Sequence, residues 1–98
     1  MLHLIATIRI KPGTKDDVAK AAIPCIEATR KEEGCIRYDM MVDVMDETNV
    51  TFVEEWESRE LLDRHVRSAH VKTWHEAGKP YIVSEHIAVI YPEKIEGL

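Results

Sequence analysis

The run CIRYDMMVDV at 35–44, the polar MDET at 45–48 and the run NVTFVEEWE at 49–57 decide how this chain folds. Tyr38, Met40 and Val42 alternate with Arg37, Asp39 and Asp43 in the first run, and Phe52, Glu54 and Trp56 alternate with Thr51, Val53 and Glu55 in the second. A repeat of two is the signature of a strand, whose successive side chains point to opposite faces. Two such runs joined by four residues, three of them polar, predict an antiparallel hairpin. Upstream, Leu2, Leu4, Ala6, Ile8 and Ile10 alternate in the same way and predict a strand over 2–10, ended by Pro12-Gly13. Thr14 with Asp17 three residues on resembles a capping box, and Val18, Ala21, Ala22, Cys25, Ile26 and Thr29 recur at helical spacing, so a helix is expected over 14–32 with Gly34 as its stop. Pro24 inside it removes one backbone donor and crowds the preceding turn, which predicts a kink or a loosened turn. Downstream, Ser58 caps a helix through Leu61, Leu62, His65 and Val66, and Ser68 offers a second start for Val71, Trp74 and Ala77. Gly78-Lys79-Pro80 closes that region, and a last strand is expected over 82–91.

The order is β-α-β-β-α-β, an α+β ferredoxin-like arrangement on one antiparallel sheet, read as a single domain over 1–98. Helices on one side of the sheet leave the other side, with apolar residues on at least three strands, without cover from the same chain. A domain of this size buries only roughly 60–65% of its surface, so a second copy packed on that bare face is expected, giving a homodimer. Further pairing of dimers is left open.

The chain is 45% hydrophobic and 32% charged with few Gly and Pro, which describes a globular protein and excludes a disordered one. A net charge of −5 without a stripe dense in Lys and Arg offers little to a phosphate backbone, so no nucleic acid partner is expected. No window approaches the ~20 consecutive apolar residues of a membrane span. The opening residues Met1 to Arg9 are too short and too alternating for a signal peptide, so a cytoplasmic protein without a membrane partner is expected. Cys25 and Cys35 lack CxxC spacing and read as small buried hydrophobes, not redox groups.

Three segments carry a family resemblance: KEEGCIRY at 31–38, continued by Met41-Val42-Asp43; EEWES at 54–58; and LDRHVRSAHVK at 62–72. With the opening strand they span nearly the whole chain, and in this order they resemble the antibiotic biosynthesis monooxygenase family, especially its quinol monooxygenase branch. The resemblance implies a homodimer whose two sheets form a joint α/β barrel, with a small-molecule pocket between sheet and helices in each subunit. It also implies oxidation of a quinol or another phenolic compound by O2 as co-substrate, with no flavin, haem or metal cofactor. Related folds host isomerases and haem-degrading enzymes, so the fold is fixed more firmly than the reaction. Ala69 stands where the quinol-oxidising relatives commonly have Pro, and no Asn-Trp-His set of the haem-degrading kind is present.

His65 is the first candidate for catalysis. It shares a helix face with Leu61, Leu62 and Val66, and an imidazole with an ordinary pKa near ~6.5 removes a phenolic proton at neutral pH. The alternative is a half-buried histidine bonded to a backbone carbonyl. Tyr38 and Trp56 lie on neighbouring strands with matching parity and are candidate walls for an aromatic ring, or simply core. Glu54 shares the face of Trp56, where a carboxylate needs a partner; it is either a base or the mate of a cation such as Arg37 or Arg64. His70 and Trp74 complete the candidate substrate-binding set, although Trp74 also fits a core stripe. Histidines 65, 70 and 75 at i,i+5 spacing stand well apart around a continuous helix, so no metal site is expected. Two other functions remain open: an isomerase of a small carbonyl compound, with Arg9, Arg37 or Lys72 to hold a phosphate, and a non-catalytic small-molecule-binding dimer.

Overall fold

The structure, a computed structural model covering residues 1–98, turns each period-two run into a strand: β1 (Leu2–Ile10), β2 (Cys35–Asp43), β3 (Asp46–Trp56) and β4 (Ile82–Ile90). The helices are α1 (Lys15–Thr29), α2 (Arg59–Val66) and α3 (Ala69–Gly78), and a 3-10 turn at Lys79–Tyr81 leads into β4. The sheet has the order β2-β3-β1-β4 with every neighbouring pair antiparallel. The fold is thus the expected α+β, ferredoxin-like one. Its second helical stretch is divided in two, so the element order is β-α-β-β-α-α-β.

Local details depart from the sequence expectation in three places. The hairpin turn falls at Val44-Met45 rather than across 45–48, because the Asp43 carboxylate accepts the Met45 N–H and the Asp46 carboxylate accepts the Thr48 N–H, which lets β3 begin at Asp46. Thr14 does not close a capping box; its hydroxyl donates to the Lys11 carbonyl at 2.6 Å. The first helix ends at Thr29 and runs through Pro24 as one 15-residue element. Pro24 lies on the exposed side together with Lys20, whose carbonyl is the one left without a helical donor, on the face open to solvent.

One face of the sheet carries Leu4, Ala6 and Ile8 of β1, Tyr38 of β2 and Val50, Phe52 and Trp56 of β3, all buried beneath the helices. Against them α1 sets Val18, Ala22, Cys25 and Thr29, and α3 sets Val71 and Trp74. The helices do not fully cover β4, where Ile87 remains 52% exposed. On the opposite face Val53, Ile5 and Ala88 stand in register across β3, β1 and β4, each only half-buried, with Met41 and Ile90 exposed beside them. Both cysteines are free. No helix is long and apolar enough to cross a membrane.

Candidate active site

The alternation that turns Phe52 of β3 toward the helices turns Glu54 and Trp56 the same way. Both are buried, Trp56 completely, and the indole Nε1 donates to Glu54 Oε1 at 2.9 Å. Neither arginine considered as a mate for Glu54 reaches it. Arg37 is held by Asp39 and Glu55 on the opposite sheet face, and Arg64 reaches Glu33 at the surface. Burial therefore pushes the Glu54 carboxyl up to about 7, against the pull of the indole hydrogen bond and with nearby Glu32 adding to the rise.

His65 stands in the last turn of α2, buried beside Leu62. Its ring meets Tyr38 edge-on with centroids 5.2 Å apart and lies 4.6 Å from the Trp56 ring. Burial holds its pKa below the ordinary histidine value, opposed by the hydrogen bond to Glu32. The helix stops just beyond it: Ser68 N–H donates to the His65 carbonyl, and the extended Ser68 starts α3 by accepting the Val71 N–H on its side chain. This break brings His70 back toward His65, with ring centroids 6.0 Å apart. The expectation that i,i+5 spacing keeps these rings apart assumed a continuous helix and fails for that reason.

Both rings meet Glu32, which follows α1 and was not singled out from the sequence. Glu32 Oε1 is 3.0 Å from His65 Nδ1 and also pairs with His70 Nε2. A carboxylate only accepts, so each ring turns an N–H toward it. His65 then carries its proton on Nδ1 and leaves a lone pair on Nε2, which lies 3.9 Å from Glu54 Oε1. The turn that presents Glu32 is fastened at both ends, with Glu32 N–H donating to the Thr29 carbonyl and Glu57 N–H to the Gly34 carbonyl. Gly34 has φ +85°, and a Cβ there would stand 2.3 Å from Leu61 Cδ1. Only glycine fits so close to α2.

A cavity of about 270 Å³ opens between the sheet and helices α2 and α3. Leu4, Ala6 and Val89 form its sheet wall, Leu62, Val71 and Trp74 its helix wall, and Tyr38, Glu54 and His65 its buried polar end. Phe52 links Tyr38 and Trp74, at 5.6 Å from each ring, into a continuous aromatic lining. Exposed Arg59, His75 and Glu85 rim the mouth. Of the residues singled out from the sequence, His65, Tyr38, Glu54 and Trp74 line this space; Trp56 and His70 do not. Trp56 packs behind Glu54 and His65, so the flat wall expected from it is supplied by Trp74 and Phe52. His70 stands on the far side of Glu32. Glu32, His65 and His70 are also the residues whose donor atoms converge closely enough to hold a metal ion, all within 4.8 Å of one another. A buried imidazole with a bare nitrogen, next to a carboxyl and an apolar space, is equipped to accept a proton from a small hydroxyl compound.

Comparison with known proteins places this geometry in a family. Residues 1–77 match the family model described as antibiotic biosynthesis monooxygenase. The chain is 31% identical over 102 aligned residues to "Probable quinol monooxygenase YgiN" of Escherichia coli (strain K12), covering 94% of this chain and 98% of that protein. Among solved structures, one titled as an antibiotic biosynthesis monooxygenase is 29% identical with a TM-score of 0.88, over 96% of this chain and all of the other. PA3566 from Pseudomonas aeruginosa superposes with a TM-score of 0.86 at 26% identity, over 95% of this chain and 94% of its own. The sheet order, the cavity beneath α2 and these matches lead to one conclusion: the chain belongs to the antibiotic biosynthesis monooxygenase family.

Proposed function

We propose that this protein is a cofactor-independent monooxygenase that oxidises a quinol or related phenol with molecular oxygen, and that it works as a homodimer. The observation that carries the reading is the Glu32–His65 pair at the closed end of the aromatic-lined cavity, with Nε2 of His65 bare beside Glu54. The ring of the substrate lies between Tyr38 and Trp74, and His65 Nε2 takes a proton from its hydroxyl. Glu32 offsets the charge of the imidazolium, as a buried carboxylate orients and stabilises a catalytic histidine elsewhere. The phenolate is electron-rich enough to pass one electron to O2, and the resulting radical pair closes a carbon–oxygen bond. His65 returns its proton to that peroxide, and the O–O bond then breaks as the same ring carbon loses its hydrogen as a proton, which releases water and leaves a carbonyl. A quinol plus O2 then gives a hydroxyquinone plus water, with both remaining electrons supplied by the substrate.

The dimer closes through the face centred on Ile5, Val53 and Ala88. An isomerase of a phosphorylated compound finds less support, because Arg9, Arg37 and Lys72 lie away from the cavity and Arg59 at its mouth is engaged by Asp63 and Tyr91. The test is oxygen uptake by metal-stripped protein against a panel of reduced quinones, corrected for autoxidation. Uptake that falls at least a hundredfold in His65→Ala is expected from loss of a general base. A well-folded dimer with no uptake above background across the panel would overturn the reading.

A further inference from the structure

Behind His65, on the side away from the cavity, three donors converge: His65 Nδ1, His70 Nε2 and a carboxylate oxygen of Glu32, all within 4.8 Å of one another. We propose that they form a site for a zinc-class divalent cation, and that an ion bound there switches off the base of the reaction above. The existence of the site rests on geometry alone, whereas its effect on turnover rests on the proposed oxidation.

The donors come from three places that the fold must hold together: the turn after α1, the last turn of α2 and the first turn of α3. Two imidazoles and one carboxylate suit Zn2+ and its neighbours, while Ca2+ and Mg2+ prefer all-oxygen shells. The side chains of Glu32, His65 and His70 are 18%, 5% and 26% exposed, so the donors are largely desolvated, while the His70 side stays open for the ion and for a water as fourth ligand. Bonds of about 2.0–2.1 Å in a tetrahedral site set neighbouring donors about 3.3–3.5 Å apart. Glu32 stands closer than that to both rings while the donors span up to 4.8 Å, so binding draws the carboxylate back and the two rings together. A carboxylate suited to an outer shell stands nearby, beyond hydrogen-bond distance in this structure. His65 Nε2 lies 3.9 Å from Glu54, itself fixed by Trp56, and metal-bound imidazoles characteristically direct their second nitrogen at such a carboxylate.

The consequence for the base follows from proton counting. A neutral imidazole carries one N–H. Without an ion that hydrogen sits on Nδ1 and Nε2 is bare; with an ion on Nδ1 it moves to Nε2. The ring keeps its place and its charge, but the nitrogen beside Glu54 changes from acceptor to donor. The cation is therefore an inhibitor and no cofactor of the oxidation.

The experiment is titration of chelator-treated protein with Co2+, followed by visible d–d absorption and by quenching of tryptophan fluorescence, since Trp56 adjoins His65. Zn2+ competition and calorimetry supply the stoichiometry. One ion per chain is expected. Affinity should fall at least tenfold in Glu32→Gln and in His70→Ala, and be kept in His86→Ala, a surface histidine of β4. Binding that is absent in the wild type, or unchanged in the first two variants, overturns the site. Nitrogen-15 NMR of His65 reads the switch without any substrate: Zn2+ should convert Nε2 from bare to protonated, and an unmoved Nε2 resonance in the zinc-bound protein overturns it. Site and switch both intact in a protein that oxidises no quinol would count against the proposed oxidation alone.

Discussion

Gly34→Ala tests whether the turn carrying Glu32 is held as tightly as the structure requires. Two costs add. The residue has φ +85°, and placing an L side chain in that region costs roughly 1–2 kcal/mol. The new Cβ would also stand 2.3 Å from Leu61 Cδ1 and 2.9 Å from Leu61 Cβ. The second atom is not the free end of a side chain, so α2 or the turn must shift, an overpacking cost of about 1–3 kcal/mol. The sum is about 2–5 kcal/mol, a large part of the roughly 5–15 kcal/mol by which small domains are stable. Gly13 provides the control: its φ is +77° and nothing lies within 4 Å of its Cβ position, so Gly13→Ala bears the backbone cost only. Urea denaturation of both variants measures the difference. Gly34→Ala should be the more destabilising by about 1–3 kcal/mol, and part of that excess should disappear in a Leu61→Ala background, which removes the contact with Cδ1 and keeps the one with Cβ. Equal losses for the two glycines, or an excess that Leu61→Ala leaves undiminished, would refute the account of how the turn is fixed.

Two further predictions concern the surface. Val53→Asp places a charge at the centre of the face formed with Ile5 and Ala88; sedimentation should show a dimeric wild type and a monomeric variant with β-sheet circular dichroism retained, and equal masses for the two would move the proposed interface elsewhere. Asp39 receives hydrogen bonds from Arg37 and Arg30, which hold its carboxyl below the ordinary value. A carboxyl depressed in the folded state stabilises above its unfolded pKa, and that stabilisation is lost as the pH falls through the depressed value. Urea midpoints measured from pH 5 downward should therefore drop more for the wild type than for Asp39→Asn, and parallel curves would show that the pair contributes nothing.

Much of the fold is legible in the sequence because strand parity is local. Reading Phe52, Glu54 and Trp56 as one face needs no knowledge of the rest of the chain, and the Glu54–Trp56 contact follows from that parity. The hairpin turn lies earlier than the polar run suggests because apolar Val44 and Met45 occupy its tip, held there by aspartate side chains rather than by turn-forming residues of their own. Glu32 escaped notice because it meets His65 across 33 residues, through a turn whose path depends on one glycine fitting against α2. Spacing alone does not say which of Glu32 and Glu33 points inward. The approach of His70 to His65 depends likewise on the helix break at Ser68, where Ala69 gives a weaker signal than a proline. Parity gives the face of a side chain and not its depth, so the sequence leaves Trp56 as either cavity wall or core, and the structure puts it in the core.

Oxygen-18 labelling tests the central claim most directly. Metal-stripped protein turning over a quinol under labelled O2 should yield a hydroxyquinone carrying one labelled atom, with the second in water and no hydrogen peroxide, and this yield should vanish in His65→Ala. An unlabelled quinone accompanied by an equal amount of hydrogen peroxide would contradict the account, since it would mean that the protein at most hastens autoxidation and inserts no oxygen.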